Sequence, residues 1–240
     1  MNLIRFIRNI NYLPLIIFAV SMGLLEAIVV VYIRELYYPE GFRFPLKELP
    51  SRLIIVEWVR EISTLFMLGC VAWISGKNFL KRLSAFLFLF GIWDIVYYIG
   101  LKIFLDWPES LLTWDILFLM PITWVGPVLA PFLCSLLMIA MALLFDFHQS
   151  YNNLKDLEFR EIAFMFSGAA VIYFTFTVDF GMILINGNFL QNYLTLAENR
   201  EFLEILTTWE PTNFNWLIFA LGIGLICVGI FLVNKRNSAN

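Results

Sequence analysis

Eight ionisable residues, Glu26, Glu57, Arg60, Glu61, Asp94, Lys102, Asp115 and Asp179, sit in stretches otherwise apolar enough to lie in lipid. A charge at bilayer depth costs about 3 kcal/mol on insertion scales and turns inward to a partner, to water or to a pathway. Six of the eight are acids and two are bases, so pairing both bases still leaves four carboxyl groups. The surplus must be protonated, hydrated or bound to a cation. Such a cluster can hold protons, pass them along, or gather a hard cation through oxygen ligands, with Glu61, Asp94 and Asp179 as the cation candidates. It could also supply the acid and base of an intramembrane enzyme acting on a lipid-linked substrate.

Helical spacing groups these charges on faces. Glu57, Arg60, Glu61 and Thr64 follow i, i+3, i+4 and i+7, one stripe in which Arg60 can pair with Glu57. Asp94, Tyr98 and Lys102 recur every four residues, which makes an Asp94–Lys102 pair the alternative, purely structural use of that face. Ala19, Gly23 and Glu26 offer small residues for close helix approach, and Gly168, Thr175, Asp179 and Asn186 form a comparable line.

The elements that must position these side chains are membrane spans. About 20 mostly apolar residues cross the hydrocarbon layer. Six stretches qualify, at about 10–33, 53–75, 83–105, 124–145, 161–186 and 214–234. The apolar run from Leu111 to Phe145 is about 52 Å long as helix, too long for one crossing, and Pro121, Gly126, Pro127 and Pro131 interrupt it. The part at about 110–120 therefore reads as a re-entrant or interfacial half-helix capped by Ser110. The expected fold is all-α: one transmembrane domain over residues 1–240, with six helices and this half-helix.

Composition agrees. The chain of 240 residues is 61% hydrophobic and 15% charged, with a mean hydropathy of +0.81. A water-facing surface could not be covered from that pool. The net charge of -3 excludes a nucleic-acid partner, which would demand a basic face. Cys70, Cys134 and Cys227 form no paired motif, and the single His148 is expected in a polar loop, so neither haem nor zinc is expected from this chain, and no other cofactor is evident.

Basic residues set the orientation. With the N-terminus inside, Arg5, Arg8, Lys77, Lys81, Arg82, Lys155, Arg160, Lys235 and Arg236 lie on the cytoplasmic side, against Arg34, Arg43, Lys47, Arg52 and Arg200 outside. The expectation is a multi-pass protein of a plasma membrane, the bacterial inner membrane, with both termini cytoplasmic. The carboxyls then share the outer half of the bilayer around one outward-facing polar cavity. Beyond the lipid bilayer itself, the expected partner surfaces are the outer loops 34–52 and 188–213. The second shows helical spacing at Leu190, Leu194, Ala197, Phe202, Ile205, Leu206 and Trp209.

The block Trp93-Asp94-Ile95-Val96-Tyr97-Tyr98, then Trp107-Pro108 with Ser110-Leu111, Trp114-Asp115, and Trp124-Val125-Gly126-Pro127-Val128 with Ala130-Pro131, resembles a family of small bacterial polytopic membrane proteins with no assigned activity. The resemblance spans about residues 90–131. It implies that the third span and the half-helix form one unit, and it carries over no catalytic residue.

Three functions fit these residues. The leading one binds or conducts a cation, proton or small polar ligand in the acidic cavity, as a transporter or relay does. Glu57, Glu61, Asp94 and Asp179 are its liganding carboxyls and Arg60 and Lys102 tune them; Glu26, Tyr98 and Asp115 join the site. The second is a membrane subunit or anchor of a larger complex, with a quinone pocket among Trp93, Trp114 and Trp124. The third is the carboxylate enzyme. The pattern favours a non-enzymatic role without excluding catalysis, since the aspartyl-protease G-x-G-D signature and a membrane histidine are both missing.

Overall fold

The structure, a computed structural model, describes residues 12–151, 154, 156–190, 196 and 198–238. Arg5, Arg8, Lys155, Leu194 and Ala197, used above for orientation and loop periodicity, lie outside the described residues. The elements in chain order are α1 (Tyr12–Tyr37), α2 (Ser51–Ser75), α3 (Phe79–Leu105), β1 (Trp114–Phe118), β2 (Trp124–Pro127), α4 (Leu129–Tyr151), α5 (Phe159–Asn186), α6 (Arg200–Leu206) and α7 (Trp216–Ser238).

Local chemistry explains the boundaries. Pro50 precedes α2. The Asn78 side chain accepts from the Lys81 amide at the start of α3, whose other end is closed by Asp106 in the left-handed region (φ 52°). Glu158 and Glu161 form a reciprocal capping box at the start of α5.

Five helices, α1, α3, α4, α5 and α7, are long and apolar enough to cross a membrane. The chain is a multi-pass membrane protein by that measure. Helix α2 has the length, but Arg52, Glu57, Arg60 and Glu61 lower its hydropathy. Much of the apolar surface is turned outward, as at Leu13, Ile17, Phe66, Phe166 and Leu217, where lipid rather than water is the compatible neighbour.

Helix α3 packs on α1, α2 and α4, while α5 packs chiefly on α7. Small residues allow these approaches. A Cβ added at Gly23 would come within 2.6 Å of the Trp93 carbonyl oxygen, and Gly100 faces Ala27 across the same α1–α3 contact. Gly168 and Gly222 bring the backbones of α5 and α7 together in the same way. One apolar core joins α1, α2, α3 and α4 through Ala19, Met22, Leu68, Leu89 and Ala142. A second joins α4, α5 and α7 through Phe145, Ile172, Phe176, Phe219 and Ile226.

The half-helix expected at about 110–120 is instead a strand. β1 pairs antiparallel with β2, placing Trp114 opposite Pro127, Asp115 opposite Gly126 and Ile116 opposite Val125, with an irregularity before Phe118. Backbone bonds from Val128 to Thr113 and from Leu129 to Leu111 extend the ladder. A hairpin satisfies its own backbone, which a proline-broken half-helix would leave open at its end. Two further expectations change. His148 lies in α4 and is buried, within 3.1 Å of the Asn234 amide oxygen, because α4 continues past the apolar run. Of the helix expected across 188–213, the described residues form α6, Arg200–Leu206.

Candidate functional site

Helix α1 contributes Glu26 and Arg34, α2 contributes Glu57, Arg60 and Glu61, α3 contributes Asp94, Tyr97 and Tyr98, and β1 contributes Asp115. All line one hollow, which leaves about 120 Å³ for water-sized occupants. Each pair across it has specific geometry. Arg60 donates from Nε and Nη2 to Glu57 Oε2 at 2.9 and 2.7 Å, and its Nη1 is paired with Glu26. Thr64 donates to the second oxygen of Glu26 at 3.2 Å. Arg60 thus bridges two helices rather than serving Glu57 alone.

Arg34 holds the opposite wall. Its Nη2 donates to Asp115 Oδ1 at 2.8 Å, and both side chains are withdrawn from the surface. Tyr98 donates to Asp115 Oδ2 at 3.2 Å, and the Ile116 amide donates to Oδ1 at 2.9 Å. The guanidinium lies 3.8 Å from the Trp107 ring centroid and 4.3 Å from that of Phe42, so aromatic faces cover the charge where carboxylates do not. Tyr38, Phe42 and Phe44 continue that aromatic contact to Trp209.

The remaining acids are less completely matched. Glu61 is 5% exposed; its Oε1 accepts from the Leu119 amide at 2.8 Å, the Met120 amide lies beside the carboxyl, and its Oε2 has no well-aligned hydrogen-bond partner among the described residues. Asp94 accepts from the Ser135 hydroxyl at 2.6 Å and faces a second, largely apolar hollow lined by Cys134, Met138 and Trp124. Arg34 Nη1 is likewise buried without a hydrogen-bond partner among the described residues.

Seven of the residues selected by spacing therefore meet: Glu26, Glu57, Arg60, Glu61, Asp94, Tyr98 and Asp115. Two do not. Lys102 turns away from Asp94 to pair with Asp106 at 2.7 Å and to donate to the Asp106 and Pro108 carbonyls. That pairing holds the exposed Asp106 carboxyl below its usual pKa, by hydrogen bond first and by charge second. Asp179 lies in a separate polar depression with Asn186, Trp209 and Glu210. Lys102 lies in the last turn of α3, and Asp179 lies about two turns before the end of α5. Trp93 borders the acidic hollow, Trp124 borders the apolar one, and Trp114 packs on Phe214.

Arg34 is the residue of this site that spacing does not single out. The sequence places Arg34 at the start of the loop 34–52, whereas it continues the Ala19–Gly23–Glu26–Ala27 face of α1. Among the described residues, no three His, Cys, Asp or Glu side chains converge as metal ligands. No family model, curated protein or solved structure matches this chain.

Proposed function

We propose that the protein binds a proton or a cationic ligand in the hollow formed by α1, α2, α3 and the hairpin, as a membrane transporter or relay. One observation carries the reading. Five carboxyls, Glu26, Glu57, Glu61, Asp94 and Asp115, border the hollow with only two arginines, Arg34 and Arg60. Three negative charges are therefore left to protons or a bound cation, because no further basic side chain borders the hollow among the described residues and uncompensated charge is prohibitive at membrane depth. The spread of the carboxyls favours protons or an organic cation over a compact metal ion. Trp93, Tyr97 and Phe118 add aromatic faces suited to an ammonium group.

In this reading α2 is the sixth crossing, made tolerable by burying Glu57 and Glu61 against α1 and the hairpin. The basic residues at Lys77, Lys81, Arg82, Lys235 and Arg236 mark the cytoplasmic face of a bacterial inner membrane, and the hollow opens outward. A role as the membrane anchor of a partner draws support from the contact of Phe44 with Trp209, which joins the loops 34–52 and 188–213 into one surface.

The test is the melting temperature of purified protein in detergent between about pH 5 and 8, with Na⁺, Mg²⁺, Ca²⁺ and tetramethylammonium added separately. A ligand that binds only the folded state raises it saturably. The expected result is a rise with proton or with one cation that Glu61→Gln and Asp94→Asn diminish. A response absent from the wild type, or unchanged in both variants, overturns the proposal.

A further inference from the structure

The acidic hollow does not end at its own walls. Tyr38, Leu49, Glu57, Ile116 and Leu119 also border an adjoining groove of about 160 Å³. That groove is mainly apolar and lies between α2 and α6, with Ile54, Trp58, Phe180, Leu203 and Leu206 along it. Ile55, at its lip, is 56% exposed, so the groove continues the apolar surface that faces lipid. A charged site that shares a wall with an apolar groove open to lipid has the form of an amphiphile site.

We infer that the ligand is an amine-bearing phospholipid, its head in the acidic hollow and part of one acyl chain in the groove. The inference rests on the reading of the hollow as an ammonium site and deepens it: the head's ammonium and phosphate cancel in net charge, so protons neutralise the surplus carboxyls. Three details select this chemistry. The carboxyl surplus attracts an ammonium. Glu61 Oε2 is a buried acceptor that lacks a well-aligned donor among the described residues, and Arg34 Nη1 is a buried donor that lacks an acceptor. Both residues border the same hollow, so an ammonium directed to Glu61 and a phosphate directed to Arg34 would complete both. The bilayer supplies the chain at high local concentration, and the groove removes it from no unfavourable medium; specificity therefore resides in the head.

Native mass spectrometry of the full chain in detergent tests this with three probes. Dioleoyl phosphatidylethanolamine carries head and chains, dioleoyl phosphatidylglycerol carries the same chains without the amine, and glycerophosphoethanolamine carries the head without chains. The expected result is one saturable site for the first, at least about tenfold tighter than for either other probe. Glu61→Gln should erase the preference over phosphatidylglycerol, and Leu203→Trp, which fills the groove away from the acids, should weaken the first probe to the level of the third. Equal binding of the two lipids would show that the head is not read and overturn the inference. Equal binding of the first and third probes would overturn the role of the groove and with it the inference, leaving the cationic-ligand reading intact. Binding of none overturns the inference; the broader reading falls with it only if the melting temperature also ignores protons and added cations.

Discussion

Arg34 is held by a carboxylate on one side and by two aromatic rings on the other, and this makes it the most sensitive cation in the cluster. Arg34→Met would leave Asp115 charged and buried with only Tyr98 and one amide as donors, at a cost of about 3–5 kcal/mol. Arg34→Met combined with Asp115→Asn should recover most of that loss, and a double-mutant cycle on unfolding in detergent would measure it. Lys102 belongs to a different circuit. Because its bond keeps the Asp106 carboxyl ionised to lower pH, whatever stability the pair adds is present above the ordinary carboxylate pKa and is lost as pH falls through the lowered one. An NMR titration of Asp106 should show a low midpoint that Lys102→Met returns to normal. Much of the cluster was legible as spacing, since Glu57, Arg60 and Glu61 lie on one helical stripe. The error at Lys102 came from the same rule. Lys102, two turns beyond Asp94 on the same face, lies in the last turn of α3, where free carbonyls compete for its donors.

At the scale of elements, the spans were readable because apolar length is a direct consequence of bilayer thickness. The hairpin was not. Trp114–Phe118 is a short apolar run beside prolines, and such runs are ambiguous between strand and helix until a pairing partner is known. Its partner, β2, lay within a stretch assigned to the next helix. The glycines offer a sharper comparison between helix contacts. Gly168→Ala and Gly222→Ala each force a methyl group into the facing backbone of α7 or α5 and should destabilise the protein by about 1–3 kcal/mol. Gly69→Ala and Gly224→Ala place the same methyl in open space, so helix propensity should make them neutral or stabilising by up to about 1 kcal/mol. Thermal unfolding of the four variants in one detergent would separate packing from propensity.

Across the whole molecule, two groups of charges tie helices to one another. The acidic hollow occupies one group. The other joins the end of α7 to the start of α5, where Arg236 donates to both oxygens of Glu161 at 2.9 Å and to the Asp156 carbonyl at 3.0 Å. Arg236→Ala should therefore speed amide exchange at the first turn of α5, measured by hydrogen–deuterium exchange, while leaving exchange around Glu61 and Asp94 unchanged. This long-range pairing could not be read from spacing, because Glu161 and Arg236 come from different helices. The acidic group has another property, set by its order along the chain. Every residue from Glu26 to Asp115 that shapes it belongs to the first half of the polypeptide. During synthesis, Glu26 must wait for Arg60, and Glu61 for Leu119, before either is matched. Once the hairpin has emerged, the nascent chain contains the partners of Glu26, Glu57 and Asp115, while Asp94 still awaits Ser135 from α4. The helices that follow can then enter the membrane beside a neighbour whose two arginines are already paired.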